Sequence, residues 1–583
     1  MAEENFIKKS GKLNVINSSN EEASCCNHDY GSQALLQINN KIGENIIERD
    51  SEKVFQINEN AKNETAKDKL KKRKILFLRA STGWKDPSPP LAFSYLGAIA
   101  KQEGFEVFVE NLNAIYNKTT VEEVIELIKR EQPIVGINVY TNYVLETYEL
   151  IKKIRKYCKT IIAGGPHVTG YAEEVLEKGD ADIAMYGEAE FSFAEVINAI
   201  YYEKDLHQVP GIVFKERDKE TGKIKFVRTK ASQSYDLDKL PFPDRSVHRK
   251  ENYIKVKEDI NNFGGILTSR GCPGKCTFCY QSMFGHDFRY RSPENIFKEI
   301  KHLYEDYGIT HINFIDDVFT INKTRLMNLC DILIKEKLPI EWVCATRIDS
   351  LSKDMIDKMG EAGCVMISFG VESCIPETLL KIKKTTNPSW YTKQVENLLK
   401  WCNDAGIRVG VNILTGYPWD NANNIRIMQE YVKKISPYVT QNFCGGVLQP
   451  MPDTEIYYDY VKDYDFKDWW LYEGDKKPIF DEDYHPFFML HYHPFWEQLN
   501  NNWFNLDKEV FNEIDKLYKI MGKWNMWMTV KRRFKNPIKR YFIYRSLYGM
   551  SKLSLFLFKV SPKLEELMAK PLMEINYKFK HKK

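Results

Sequence analysis

The sequence predicts an α/β protein in three parts: an N-terminal Rossmann-like parallel sheet, a (β/α)6 partial TIM barrel, and a mainly helical C-terminal extension. Three observations predict it. Short apolar runs alternate with helix-length amphipathic stretches from Lys74 to about residue 200. The same rhythm restarts at Gly265 and repeats six times to about Leu448. Beyond about residue 456 it stops and gives way to aromatic, then basic, sequence. Alternation of this kind builds parallel sheets, whose ligands lie beyond the carboxyl ends of the strands. A chain of 583 residues is also too long for a single core.

Each part justifies its place in turn. Residues 1–72 are rich in Asn, Glu, Lys and Ser and read as a poorly ordered tail; Cys25, Cys26 and His28 lack a fourth ligand there. In 73–205, strands at 75–78, 105–109, 134–139 and 160–163 alternate with helices at 91–102, 121–130 and 145–157. Their carboxyl ends carry Arg79 to Trp84, Tyr140 and Thr141, then Gly164, Gly165, Pro166 and His167, then Gly187, Glu188, Ala189 and Glu190. A connector at 206–262 holds a hairpin and a proline-extended run from Asp238 to Pro243. In 263–455, strands at 266–268, 312–315, 342–344, 365–368, 408–413 and 443–448 alternate with helices that include 293–306, 323–336, 352–361 and 389–404.

The extension, 456–583, repeats Tyr484-His485-Pro486-Phe487 as Tyr492-His493-Pro494-Phe495, beside His491; a proline-bounded aromatic loop explains these histidines better than a metal site. Trp469, Trp470, Trp496 and Trp503 suit either an apolar pocket or a small core. Lys531, Arg532, Arg533, Lys539 and Arg540 precede the apolar run from Leu553 to Val560. That pattern fits peripheral contact with an anionic membrane, or a solvated helical cap.

Charge excludes some classes. The 84 basic residues nearly balance 80 acidic ones, so no nucleic-acid partner is expected. No signal-like apolar region opens the chain and no window approaches a membrane span, so a cytoplasmic location is expected. Twelve cysteines at irregular spacing read as reduced thiols and ligands rather than a disulfide framework.

The chemistry concentrates in Gly271-Cys272-Pro273-Gly274-Lys275-Cys276-Thr277-Phe278-Cys279-Tyr280, directly after the first strand of the second series. Thiolates hold iron–sulfur clusters, and three on one tight loop leave one iron of a 4Fe–4S cluster open. A zinc site would need a fourth ligand nearby. This spacing, with Phe278 before the last cysteine, resembles the radical S-adenosylmethionine (SAM) superfamily. The resemblance implies that the open iron chelates SAM, and that one electron from an external donor such as flavodoxin or ferredoxin releases a 5′-deoxyadenosyl radical. An oxygen-sensitive cluster further implies an anaerobic setting. It also implies cofactor roles for Phe278, for Asp316 and Asp317 after the second strand, for Arg347 after the third, and for Gly370 and Glu372 after the fourth. Arg291-Ser292-Pro293-Glu294-Asn295 resembles the family's opening of the first helix, whereas Gly416-Tyr417-Pro418 departs from its pattern by placing Trp419 where glycine is common.

Residues 73 to about 200 resemble the cobalamin (B12)-binding domain that precedes the barrel in one class of these enzymes. Pro89-Pro90-Leu91-Ala92, Gly164-Gly165-Pro166-His167 and Gly187-Glu188-Ala189-Glu190 carry the likeness. Cobalamin is therefore expected near Tyr140, Thr141, Gly164, Gly165, Pro166, His167, Gly187 and Glu188. The DxHxxG motif that supplies an axial histidine is absent, its place reading Asn111-Leu112-Asn113. Together these imply a cobalamin-dependent methyltransferase acting on an unactivated carbon or phosphorus centre of a small-molecule or lipid substrate. The alternatives are a radical oxidoreductase or cyclase with an auxiliary cobalamin domain and, from another class, a cobalamin or redox sensor, for which no signalling module is found.

Overall fold

The computed structural model describes residues 73–82, 85–218, 220–232, 236–472 and 502–560. The 1–72 tail with Cys25, Cys26 and His28, Trp84, the repeated Tyr-His-Pro-Phe segment with His491 and His493, and Trp496 lie outside the described residues, as do the side chains of Leu553 to Val560.

Strand β1 (Arg73–Arg79) sets the plan of the first sheet. Ile75 and Phe77 are buried on one face, Leu76 and Leu78 on the other. A strand that is apolar on both faces belongs inside a parallel sheet covered by helices on both sides. It pairs in parallel with β2 (Phe105–Asn111) and β3 (Ile134–Asn138), and β4 (Ile161–Gly164) and β5 (Ile183–Met185) continue the parallel run. The hairpin expected in the connector is present as β6 (Ile212–Arg217) and β7 (Ile224–Arg228), but it is hydrogen-bonded antiparallel onto β5, so the sheet runs β2-β1-β3-β4-β5-β6-β7. Five helices sandwich it: α1 (Leu91–Gln102), α2 (Val121–Glu131), α3 (Val144–Ile154), α4 (Pro166–Glu177) and α5 (Phe193–Tyr201). α1 and α5 cover the Ile75 face, and α2, α3 and α4 the Leu76 face. The strand order reverses direction between β1 and β3, which opens a crevice at their carboxyl ends.

The second sheet begins with β8 (Gly265–Ile266). The predicted first strand, 266–268, is cut short: Asp316 takes the backbone N–H groups of Thr268 and Ser269, so the chain leaves the sheet and forms β9 (Ser269–Arg270), paired with β10 (Arg289–Tyr290). Then follow α6 (Pro293–Tyr307), β11 (His311–Phe314), α7 (Lys323–Glu336), β12 (Glu341–Thr346), α8 (Lys353–Glu361), β13 (Cys364–Glu372), α9 (Pro376–Lys381), α10 (Pro388–Asp404), β14 (Arg408–Thr415), α11 (Ala422–Ile435) and β15 (Asn442–Val447). Ser292 caps α6, accepting from the Asn295 N–H at 3.2 Å, with Pro293 in the first turn, as the sequence suggested. The six strands run parallel in the order β8-β11-β12-β13-β14-β15, and β8 does not meet β15, so the barrel is open. On the outer face Ile312, Phe314, Trp342, Ile367, Val411 and Phe443 are buried against the helices. The inner face presents small and polar groups, with Asn313, Ala345, Ser368, Gly370 and Asn412 all at least partly accessible.

The extension is built into both sheets. α12 (Glu455–Tyr464) and the buried Trp469 and Trp470 pack with Phe466, Phe504 and the α3–α4 face of the first sheet, so these tryptophans fill a core. α13 (Lys508–Arg533) lies along the open edge at β15, where the Asn525 amide accepts from Phe443 N–H and donates to Phe443 C=O, both at 2.7 Å. α14 (Pro537–Val560) follows.

Candidate functional site

The cysteine loop leaves β9 at Gly271, whose φ is +82° and whose added Cβ would sit 2.3 Å from the Asp287 carbonyl oxygen, so only glycine fits. Backbone bonds then pin the loop: Cys272 N–H to Gly285 C=O at 3.3 Å, Thr277 N–H to Ile382 C=O at 3.2 Å, and Ile456 N–H to Thr277 C=O at 3.0 Å. Cys272 is buried and Cys276 and Cys279 are half-buried. Burial pushes the Cys272 thiol up, and pushes that of Cys279 up to about 11, with Cys276, Cys272 and Asp317 adding to the latter by charge repulsion. Desolvated thiols gathered this way suit a cationic cluster, which would relieve both penalties. Side chains already serve two of the sulfurs: Gln281 Nε2 donates to Cys279 Sγ at 3.0 Å, and Arg347 Nη1 to Cys276 Sγ at 3.3 Å. Among the described residues no three His, Cys, Asp or Glu side chains gather around a single ion position; a cubane instead spreads three thiolates over three irons.

The strand-end residues divide. Asp317 is exposed and within charge reach of Cys272 and Cys279. Phe278 packs partly buried against the apolar core on the Leu76 face of the first sheet. Arg347 holds Asp349 with two bonds of 2.7 and 2.8 Å while touching Cys276. Glu372 sits at φ +63° on a bulge between β13 and β14, its Oε1 3.1 Å from the buried Lys384 Nζ. An added Cβ on Gly370 would lie 2.5 Å from that same Oε1. A left-handed glutamate is strain that the surroundings must impose. Asp316 departs from the expected cofactor role. It is fully buried behind the loop, its oxygens taken by Thr268, Ser269 and, at 4.0 Å, Arg325, so it shapes the start of the cysteine loop.

At the carboxyl ends of the first sheet, Tyr140 is exposed, with the Arg79 guanidinium 5.1 Å from its ring centre. Gly164 and Gly165 end β4, and Gly165 lies at φ +112°, where an added Cβ would meet the Val139 carbonyl oxygen at 2.9 Å. Gly187, at φ +69°, has open space where a Cβ would be. The Oδ1 atoms of Asn138 and Asn142, at the end of β3, are buried without a partner. An open glycine and two unpartnered amide oxygens at the crevice fit an amide-rich macrocycle. His167 does not face outward: Nδ1 is 3.2 Å from Thr141 Oγ1, Nε2 is 3.3 Å from Glu174, and the ring stacks on Tyr171. Thr141 is thereby buried with it. Both ring nitrogens are committed within the protein. Glu188 is likewise committed, bonding Arg270 at 2.5 Å and also Arg289, while Glu190 holds Arg270 at 2.8 Å. It is a clamp between the sheets, not an exposed cofactor contact.

The two loops meet. Arg270, which the two glutamates hold, immediately precedes Gly271, and Tyr280 OH, one residue past Cys279, donates to the Pro166 carbonyl oxygen at 2.6 Å. Residues 266–432 match the family model of the radical SAM superfamily, and residues 85–197 that of the B12 binding domain. The chain carries a radical SAM domain behind a B12-binding domain. The radical SAM domain implies a 4Fe–4S cluster and SAM, and the B12-binding domain implies cobalamin. An uncharacterized methyltransferase of Pyrococcus horikoshii is 28% identical over 63% of this chain and 78% of its own. An anaerobic magnesium-protoporphyrin IX monomethyl ester cyclase of Rubrivivax gelatinosus is 25% identical over 65% of this chain and 68% of its own. In fold, the radical SAM methyltransferase TsrM of Kitasatospora setae, with cobalamin and a 4Fe–4S cluster bound, superposes at a TM-score of 0.56 and 19% identity, over 67% of this chain and 78% of that one.

Lys384, Gln281 and Arg270 belong to the site but to none of its sequence motifs. Lys384 of the radical SAM domain lies in the run Lys381-Ile382-Lys383-Lys384, which reads as solvated surface. Gln281 and Arg270 flank the cysteine motif, and proximity to it was the only available signal.

Proposed function

We propose that this enzyme is a cobalamin-dependent radical SAM methyltransferase acting on an unactivated carbon or phosphorus centre. The observation that supports it best is the Tyr280–Pro166 hydrogen bond, which sets the cysteine loop directly against the glycine loop of the B12-binding domain. When bound, the cluster supplies the electron that cleaves SAM, and cobalamin supplies a methyl carrier. On this reading Cys272, Cys276 and Cys279 hold the cluster; Asp317, Arg347, Gly370, Glu372 and Phe278 border the SAM site; and Tyr140, Gly164, Gly165, Pro166 and Gly187 line the cobalamin crevice, with no protein nitrogen on the metal. An external one-electron donor such as flavodoxin or ferredoxin completes the set. The tail's basic and aromatic residues further suggest contact with an anionic membrane, which would suit a lipid substrate.

Anaerobically reconstituted protein should bind about four irons and release 5′-deoxyadenosine from SAM. Cys276→Ala should abolish that release, and full activity in this variant would refute the cluster assignment. Paramagnetic resonance of the cob(II)alamin form should lack nitrogen splitting, and labelled methyl should reach the product. The cyclase relative supports a second reading, a radical oxidoreductase or cyclase, which the absence of methyl transfer would favour.

A further inference from the structure

The Arg347 guanidinium is held by the protein at two of its nitrogens, and this aims the third. Nε and Nη2 grip the Asp349 carboxylate at 2.8 and 2.7 Å, and Nη2 also donates to the Lys384 carbonyl oxygen at 3.0 Å. Because the guanidinium is planar and rigid, those three bonds fix where Nη1 points. It donates to Cys276 Sγ at 3.3 Å. The cysteine loop is shaped to admit it. A Cβ added at Gly274 would lie 2.7 Å from Arg347 Nη1 and 3.3 Å from Cys272 Sγ, so a side chain there would push the guanidinium off the sulfur. On the other flank Gln281 Nε2 donates to Cys279 Sγ at 3.0 Å, with the Gln281 carbonyl oxygen itself fixed by Gly285 N–H at 2.8 Å. Two of the three cysteine sulfurs therefore accept from side chains, one of them charged. Hydrogen bonds to the sulfurs and nearby charge are among the factors that set the reduction potential of an iron–sulfur cluster. An N–H aimed at a ligand sulfur favours the reduced form, which carries one more negative charge, and a charged donor does so more strongly than a neutral one.

We infer that Arg347 and Gln281 raise the reduction potential of the cluster by donating to the sulfurs of Cys276 and Cys279, with Arg347 the stronger of the two and Asp349 its positioning residue. This deepens the radical SAM reading of the same site and rests on it. Redox titration of anaerobically reconstituted protein in the absence of SAM, followed by paramagnetic resonance of the reduced cluster, reads the potential apart from any part Arg347 plays in SAM binding. Arg347→Met should retain about four irons. Its midpoint should fall by at least the equivalent of a tenfold change in the reduction equilibrium, about 59 mV for one electron. That variant also leaves the Asp349 carboxylate unpaired, which by itself would disfavour an added electron. Arg347→Met combined with Asp349→Asn removes that charge, and its midpoint should still lie below wild type. Gln281→Leu should lower the midpoint in the same direction by less. A combined variant within about twofold of the wild-type equilibrium, about 18 mV, would overturn the inference. So would Arg347→Met that loses SAM affinity with its potential unchanged. Should Arg347→Met fail to hold its iron, Gln281→Leu decides, and an unshifted midpoint there would overturn the inference as well. If wild type itself holds no cluster, the proposed function fails instead, which separates the two.

Discussion

His248 shows how a single side chain sets the pH range of this fold. It is sealed where α1 meets the connector, with Nε2 2.9 Å from Ser94 Oγ and Nδ1 unpartnered. Burial chiefly, and the Arg245 charge next, pull its pKa down to about 3, while Asp244 opposes them. The folded state therefore takes up this proton less readily than the unfolded chain, whose histidine titrates near 6.5. Its contribution is fully present above about pH 6.5 and is lost as pH falls toward 3, to a total on the order of 4 kcal/mol. Urea unfolding should show stability declining between pH 7 and 5, and His248→Gln should flatten that decline; an unchanged slope would rule the residue out. Residues of this kind were not legible in the sequence. Lys381, Lys383 and Lys384 look alike there, yet only Lys384 is buried, because the chain after α9 turns in beside Glu372. Asp316 and Asp317 are adjacent and were given one role, but strand alternation sends one behind the loop and the other toward it. The cysteines were legible because their chemistry depends on spacing along the chain rather than on the direction each side chain takes.

At the level of elements, the helices and strands placed from sequence lie close to their observed bounds, since long apolar periodicity decides them, whereas β5, α4, α5, α9, α11 and the β9–β10 pair carried too short or too mixed a pattern to be placed. Two boundaries are set by a side chain from elsewhere that takes the place of a ladder partner. Asp316 ends β8 early by taking two backbone N–H groups. Asn525 does the reverse at the far edge, pairing with the N–H and C=O of Phe443 as another strand would. Trp524 Nε1 and Arg532 Nη1 extend the same service to the carbonyls of Val439, Thr440 and Gln441. Asn525→Leu should leave two buried backbone groups unpaired, a loss of about 1–3 kcal/mol for each. Chemical unfolding should register it, and hydrogen exchange at the Phe443 amide should accelerate. A variant as stable as wild type, with Phe443 still protected, would show that the amide contact is incidental.

For the whole molecule, the division into two parallel sheets and a helical extension follows from sequence rhythm, but their union does not. Arg270 lies 82 positions from Glu188 and 80 from Glu190 and forms one buried clamp with them, a pairing that no local pattern announces. The tail raises a question at this scale. Lys516 to Leu564 contains no acidic residue and thirteen basic ones. On α14, Ile538, Tyr541 and Phe542 are exposed on the same side as Arg545. Among the described residues no helix is long and apolar enough to cross a membrane. Arg532 is engaged with the barrel edge, while Lys531, Lys535, Lys539 and Arg545 near α14 are exposed, each worth about 1 kcal/mol near an anionic surface. Sedimentation with anionic vesicles should pellet the protein at low salt and release it at high salt; protein that stays in solution at low salt would leave α14 as a cap.

The inner wall of the open barrel has a consequence of its own. Along β11 to β14, neighbouring residues face opposite ways, so Asn313, Ala345, Ser368 and Asn412 line the interior while Phe314, Cys344, Ile367 and Val411 hold the helices. Substitutions on the first set alter the volume and polarity offered to a guest; substitutions on the second alter whether the barrel stands. A lineage of such proteins could therefore change its guest many times over without renegotiating the architecture.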